Sequence, residues 1–409
     1  MPERDREERV DERQDLLALA MSGRMSRREL LKRAALLGIS GSALASILAA
    51  CTSAAPTASP RASVAAPAAS PPAAAPGATA AAAAATPAPS LAGTLELYSS
   101  TDTAQQVADA FSKLTGVKVN NYNDDAGVVL ARIEAEAGHP RGDVYLLSDA
   151  EGMAGLGQQG RLQPYLSPQR QTMTALALRV SDPGGLFSAV GLSGAGPFTY
   201  NTKRLSAGQA PKDWPDLLDA RFKDQIAMTD PAFSGPSYGA IFGILQRMGT
   251  SAGWTYIRGL AANGMKVYKT NTPTLAAVTS GGRSIALAQD SATFYDVVAQ
   301  GAPLAVAYPS SGTVLQGDVV GIEAKTSNLP AARAFVDYIL STQGQTAEIG
   351  DAVAGKGVSG DAWIIPVQPG VAQNAARIAS GINWTIIDLQ QAAAQEASIK
   401  AQFKSLFGA

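Results

Sequence analysis

Thr94-Leu95-Glu96-Leu97-Tyr98 alternates apolar and polar side chains with the period of a strand. It runs straight into Ser99-Ser100-Thr101-Asp102, a hydroxyl-rich turn made of helix-cap residues. Val107, Ala110, Phe111 and Leu114 then recur with helical spacing, and Gly116 is placed to stop that helix. Val117 to Asn120 reads as the next strand, Asp125 to Ala137 as a helix and Asp143 to Leu147 as a buried strand, with Ser148-Asp149 opening another helix. After a middle segment without clear period, the rhythm resumes. Ile226–Thr229, Lys266–Lys269, Ile285–Ala288 and Val319–Ile322 read as strands. Tyr238–Met248, Ser251–Ala262, Pro273–Ser280, Ala331–Leu340 and Ile386–Phe407 read as helices. Strands alternating with helices of this length predict an α/β fold with parallel strands and right-handed crossovers.

The stretch before Thr94 has neither period. Ala34 to Ala50 is apolar but interrupted by Gly38, Ser40, Gly41, Ser42 and Ser46, and it follows Arg27-Arg28. That is short and only mildly apolar for a span of ~30 Å of hydrocarbon. A charged segment, a short apolar core and small residues read instead as an export signal, here with a twin-arginine address. Leu48-Ala49-Ala50-Cys51 resembles the lipobox of bacterial lipoproteins, which makes Cys51 the expected lipid attachment site and residues 1–50 the signal. Two acyl chains give stable anchoring where one does not. Residues 51–92 follow as a linker, almost entirely Ala, Pro, Ser and Thr with Arg61 its one charge, a composition that builds no core.

Residues 1–50 hold 9 of the 33 Lys/Arg and 8 of the 34 Asp/Glu, so the remainder carries 24 against 26. No concentrated basic face points to nucleic acid. Cys51 is the single cysteine, so no internal disulfide is possible, and one histidine rules out the usual zinc spacings. No cofactor is expected.

Three motifs invite catalytic readings. Gly235-Pro236-Ser237-Tyr238-Gly239 has the G-x-S-x-G form, but the only histidine, His139, lies upstream, and a serine without a base is a weak nucleophile. Gly155 to Gly160 matches a dinucleotide fingerprint but falls inside a helix instead of opening one. Gly350 to Lys356 imitates a phosphate loop, yet Gly357 stands where a hydroxyl should hold magnesium. All three read as packing or capping glycines, and the chain is not expected to be an enzyme.

Taken in order, several segments resemble the extracellular solute-binding proteins of ATP-binding-cassette importers, of the iron(III), phosphonate and thiamine type. They are Leu95–Ser99, Ala110-Phe111 through Leu114–Val119, Arg132–Glu136, Gly142–Tyr145, Tyr200–Thr202, Trp214–Leu218, Asp230-Pro231 with Ser234-Gly235, Tyr308-Pro309 with Gly312-Thr313, and Ala334–Tyr338. The resemblance implies a two-lobed type II periplasmic binding fold with hinged crossing strands: lobe one from 93–198 and 311–409, lobe two from 199–310. It also implies a monomer tethered through Cys51 to the outer face of the cytoplasmic membrane, handing a small molecule to a permease.

Carried over by position, the cleft-facing residues are Ser99, Ser100, Thr101, Ser148, Asp149, Tyr200, Ser234, Gly235, Ser237, Asn271, Asp290 and Tyr295. Helix starts with hydroxyls suit an oxyanion such as a phosphonate or phosphate ester. Ferric binders of this group use a tyrosine pair where this chain has Phe294-Tyr295, so Tyr295 is the metal candidate should the solute be iron. Ser310-Ser311 stand where amine binders carry an acid. Ferric and thiamine-like solutes remain the alternative.

Overall fold

A computed structural model describes residues 91–408, apart from Val358, Ile378 and Ala379. The export signal, Cys51 and nearly all of the linker lie outside the described residues.

The chain begins with β1 (Thr94–Ser99), α1 (Ala104–Thr115), β2 (Lys118–Asn123), α2 (Ala126–Ala135), β3 (Val144–Leu147) and α3 (Ala150–Gln158). The short β4 (Leu162–Gln163) and α4 (Ala175–Leu178) lead to β5 (Phe187–Ala195) and β6 (Phe198–Asn201). Next come β7 (Ile226–Thr229), α5 (Gly235–Met248), α6 (Thr250–Ala262), β8 (Lys266–Tyr268), α7 (Asn271–Thr279), β9 (Ile285–Leu287), α8 (Asp290–Val298) and β10 (Leu304–Ala307). The return consists of β11 (Thr313–Glu323), α9 (Leu329–Leu340), α10 (Thr342–Val353), β12 (Ile365–Pro366), β13 (Trp384–Thr385) and α11 (Leu389–Phe407).

These strands build two sheets. The first has the order β12-β5-β11-β3-β1-β2, with β4 and β13 also pairing with β11. The second has the order β10-β6-β9-β7-β8. β1 is parallel to both β2 and β3, whereas β11 runs antiparallel to β3 and β5. The chain therefore leaves the first sheet after Ala195 and rejoins it at Thr313, and each sheet with its helices forms one lobe. This is the two-lobed α/β architecture expected from the sequence.

Both faces of the first sheet are covered. Leu146 packs with Phe111, Phe335 and Ile339 on one side, while its neighbours Tyr145 and Leu147 pack with Ile133 and Met153 on the other. Alternate side chains of a strand point to opposite faces, so a strand covered on both reads as one apolar run. In the second lobe, Phe198, Trp214, Tyr238, Ile241 and Ile257 form a core that also takes in Ile399 and Phe403 of α11. The C-terminal helix thus packs into lobe two, and it also touches lobe one through Gln158, whose amide donates to Gln390.

Several elements differ from the sequence reading. α5 starts at Gly235, three residues before the expected Tyr238, because Ser234 caps it and Pro236 fits a first turn whose N–H groups need no partner. β11 is far longer than Val319–Ile322 and buried throughout. β5 was not foreseen, since Ser188, Gly191, Ser193 and Gly194 break its apolar pattern although all nine residues are buried. α10 was missed because it is short of apolar residues. It contains Gly350, so the phosphate-loop lookalike is a helix end. His139 is an exposed turn residue whose N–H donates to Glu136 O. Asp143 joins two segments, accepting from the Glu96 N–H and from the Thr326 hydroxyl.

Candidate functional site

In a sheet of this type the loops at the C-terminal ends of parallel strands carry ligand-binding groups. Here the loops after β2 and β3 meet the loop after β7. A Cβ added at Gly127 would lie 2.3 Å from Ala232 O, and one added at Gly235 would lie 2.6 Å from Ser148 O. No side chain fits between the lobes at these two points.

Eight of the twelve expected residues gather here. Ser99 ends β1 with its hydroxyl donating to Asn121 Oδ1 at 2.7 Å. Asn123 Nδ2 donates to Ser99 Oγ at 3.0 Å and to Thr101 O at 2.7 Å, which fixes the loop. Ser100 Oγ accepts from the Ser148 N–H at 2.9 Å and lies 3.2 Å from Ser148 Oγ. Thr101 Oγ1 is buried and has no partner among the described residues. Asp149 caps α3, accepting from the Gly152 N–H at 2.8 Å with Oδ1, while its Oδ2 is buried without a partner among the described residues. Across the seam, Ser234 caps α5 by accepting from the Ser237 N–H, and Gly235 lies against the backbone of Ser148 and Asp149. Two helix starts, one per lobe, therefore face each other.

Their electrostatics differ. The positive end of α3 already carries Asp149 as its own carboxylate. α5 is capped by an uncharged hydroxyl and has no acid in its first turn, so its dipole is left for another anion.

The other four residues lie elsewhere. The Tyr200 ring packs in the apolar core of lobe two with Phe198 and Trp214, which corrects its assignment to the cleft. Asn271 accepts from the Thr229 hydroxyl at 2.9 Å, and Thr229 Oγ1 lies 2.9 Å from Thr274 Oγ1, a hydroxyl–amide network within lobe two. Asp290 is not free for a ligand. Arg377 Nη2 and Nη1 donate to its two oxygens at 3.0 and 3.1 Å, the Gly194 N–H at 2.9 Å and the Tyr308 hydroxyl at 2.8 Å, all with Asp290 fully buried. The Tyr295 hydroxyl accepts from Gln300 Nε2 at 3.0 Å, and burial raises its pKa above the ordinary value.

The sequence reading missed Asn121 and Asn123, although three asparagines at the end of β2 were a visible signal. It also missed a group of acids, of which Asp318 and Glu348 are buried and Asp361 is partly buried. Burial pushes the carboxyls of Asp318 and Glu348 well up, and burial followed by the charge of Asp102 pushes Asp361 up to about 7. Neither oxygen of Asp318 has a partner among the described residues.

The family model described as "Bacterial extracellular solute-binding protein" matches residues 143–349, just over half of the chain. A putative 2-aminoethylphosphonate-binding periplasmic protein of Salmonella typhimurium is 30% identical over 156 residues, 38% of this chain and 43% of that protein. The structure of the periplasmic binding protein AfuA from Actinobacillus pleuropneumoniae, with fructose-6-phosphate bound, superposes with a TM-score of 0.68 at 25% identity, covering 77% of this chain and 99% of that one. Iron-bound HitA from Pseudomonas aeruginosa gives 0.67 at 18% identity over 76% of this chain and 99% of its own, a likeness of fold.

Proposed function

The chain belongs to the bacterial extracellular solute-binding proteins, and from that premise we propose that it captures a small phosphonate or phosphate ester between its lobes for delivery to an importer's permease. The observation that carries this reading is the meeting of the uncharged α5 start, Ser234-Gly235-Pro236-Ser237, with the hydroxyls of Ser100, Thr101 and Ser148. Helix N–H groups and hydroxyls are the donors that a phosphoryl or phosphonyl oxygen needs, and charge-assisted bonds to them are about twice as strong as neutral ones. A relative named for 2-aminoethylphosphonate and a neighbour holding fructose-6-phosphate give the reading further support.

Capture works by closure. Groups from both lobes contact the solute together only when the lobes are shut, so binding shifts the open–closed balance by the difference in affinity. A micromolar dissociation constant corresponds to about −8 kcal/mol, within reach of several such bonds. Cys51 is proposed to carry the lipid that holds the protein at the membrane. Asp290 and Tyr295, with their side chains committed within the protein, are left out of this site.

The test is native mass spectrometry of unrefolded protein with metal analysis, followed by calorimetric titration with 2-aminoethylphosphonate, fructose 6-phosphate and ferric citrate. A phosphorus-containing adduct and saturable binding of one organophosphorus probe are expected. Stoichiometric iron, or binding of ferric citrate alone, would overturn the assignment.

A further inference from the structure

The motif that imitated a nucleophile elbow extends further than five residues. Gly235, Gly239 and Gly243 recur every fourth position on α5, which places them on one face of the helix. All three point at lobe one. A Cβ on Gly235 would lie 2.7 Å from Asp149 Cβ, one on Gly239 would lie 2.6 Å from Glu151 Oε1 and 2.7 Å from Gln316 Oε1, and one on Gly243 would lie 2.3 Å from Val314 Cγ2. The helix lies bare on the β3–α3 turn, on α3 and on β11.

Glu151 lies beneath this face with no exposure to solvent, and its Oε1 has no partner among the described residues. Its Oε2 accepts from Gln316 Nε2 at 3.2 Å. The charged and titratable groups around it are Asp149 on its own helix, Tyr238 on α5, and Glu396 with Lys400 on α11. Lys400 pairs with Glu396 and also feels Asp149 and Glu151. One ammonium thus serves three carboxylates. Such an excess of negative charge is costly away from water unless a carboxyl takes up a proton.

We propose that the glycine face of α5 is the seat on which lobe one closes, and that closing it takes up a proton on Glu151, so that the closed state weakens as pH rises. Lifting α5 off the seat opens that side of the carboxyl to water and moves it toward its ordinary behaviour. Burial, then the charge of Asp149, pushes the closed-state carboxyl from 4.5 up to about 8. The sign follows from linkage: closure is strongest below about 4.5, falls by up to tenfold per pH unit between those two values, and falls no further above about 8. The device depends on the two-lobed architecture and is independent of which solute is bound.

The test needs no ligand. Nitroxides at Lys113→Cys on α1 and Thr255→Cys on α6, in the full chain with Cys51→Ser, report one distance across the seam by double electron–electron resonance at pH 5.0 and 8.5. The expected result is a short distance at pH 5.0 that shifts by pH 8.5 toward the longer distance of Gly239→Val, in which the added side chain blocks the seat. Glu151→Gln should stay short at both values. A wild-type distribution that ignores pH, or a Glu151→Gln protein that follows the wild type, overturns the proton. A Gly239→Val protein as closed as the wild type overturns the seat. Should Gly239→Val fail to fold by circular dichroism, the comparison of wild type with Glu151→Gln decides alone.

Discussion

The starts of α5 and α8 make an instructive pair. Each helix follows a strand of the second sheet, each begins where lobe two meets lobe one, and each was expected to face the solute. At α5 the chain places Ser234, Gly235 and Ser237, which are small and uncharged, opposite the hydroxyls of lobe one. At α8 it places Asp290 and then surrounds it with Arg377, Tyr308 and the Gly194 N–H. The first start has an uncharged cap and no acid of its own, and on the proposed reading it takes the solute; the second is filled by the protein. A helix N-terminus after a parallel strand therefore marks a place where an anion is welcome, without saying whose anion it will be.

The largest expected effect breaks the filled end. Arg377→Met strands a fully buried carboxylate, a change that costs about 3–5 kcal/mol, and denaturant unfolding should show a loss of that size. The double variant Arg377→Met, Asp290→Leu should recover most of it. If the single variant unfolds like the wild type, the ion pair does not hold α8 in place. Next, Ser234→Ala removes a cap and a donor from the open end. Titration with the organophosphorus probe should show about a tenfold loss of affinity, with about 1 kcal/mol of stability lost alongside.

A smaller effect concerns the acids of lobe one. Because burial raises the pKa of Asp318 in the folded state, its contribution to stability is fully present at low pH and is lost as pH rises through the raised value. Asp318→Asn should therefore raise the melting temperature at pH 8 and leave it nearly unchanged at pH 4. Equal shifts at both pH values would rule out ionisation as the cause. The smallest effect is expected from Tyr295→Phe, which removes a hydroxyl bonded to Gln300 and should leave solute affinity unchanged. A large loss would return Tyr295 to the site and revive the ferric reading.

Much of this was legible in the residues themselves. The strand and helix periods of β1, α1, β3 and α9 announce a two-faced sheet, and the serines at helix starts mark the place where the two lobes meet. What could not be read depends on distance in sequence. Nothing around Arg377 has a period, so its pairing with Asp290, 87 positions away, is invisible until the fold is known. Glu151 looks like an ordinary first-turn acid, and only the covering by α5 and α11 makes it buried. Tyr200 sits in a segment typical of the cleft, yet strand alternation turns its ring into the core. β5 failed for a related reason: its small residues make room for side chains from elsewhere, Ile364 against Gly191 and Asp290 against Gly194, a demand that a single strand does not display.

The path of β11 has a consequence for how the molecule is made. It lies between β3 and β5 in the first sheet, so residues 94–195 cannot complete that sheet until residues 313–323 have been synthesised. The strands of the second sheet, from Phe198 to Ala307, are continuous in the chain and wait for nothing later to pair. During translation the second half-molecule can acquire its strand order first, while the earlier-made half stays open along the edges of β3 and β5. Those unpaired edges, and not the solute cleft, are where a nascent chain of this protein is most exposed to mispairing.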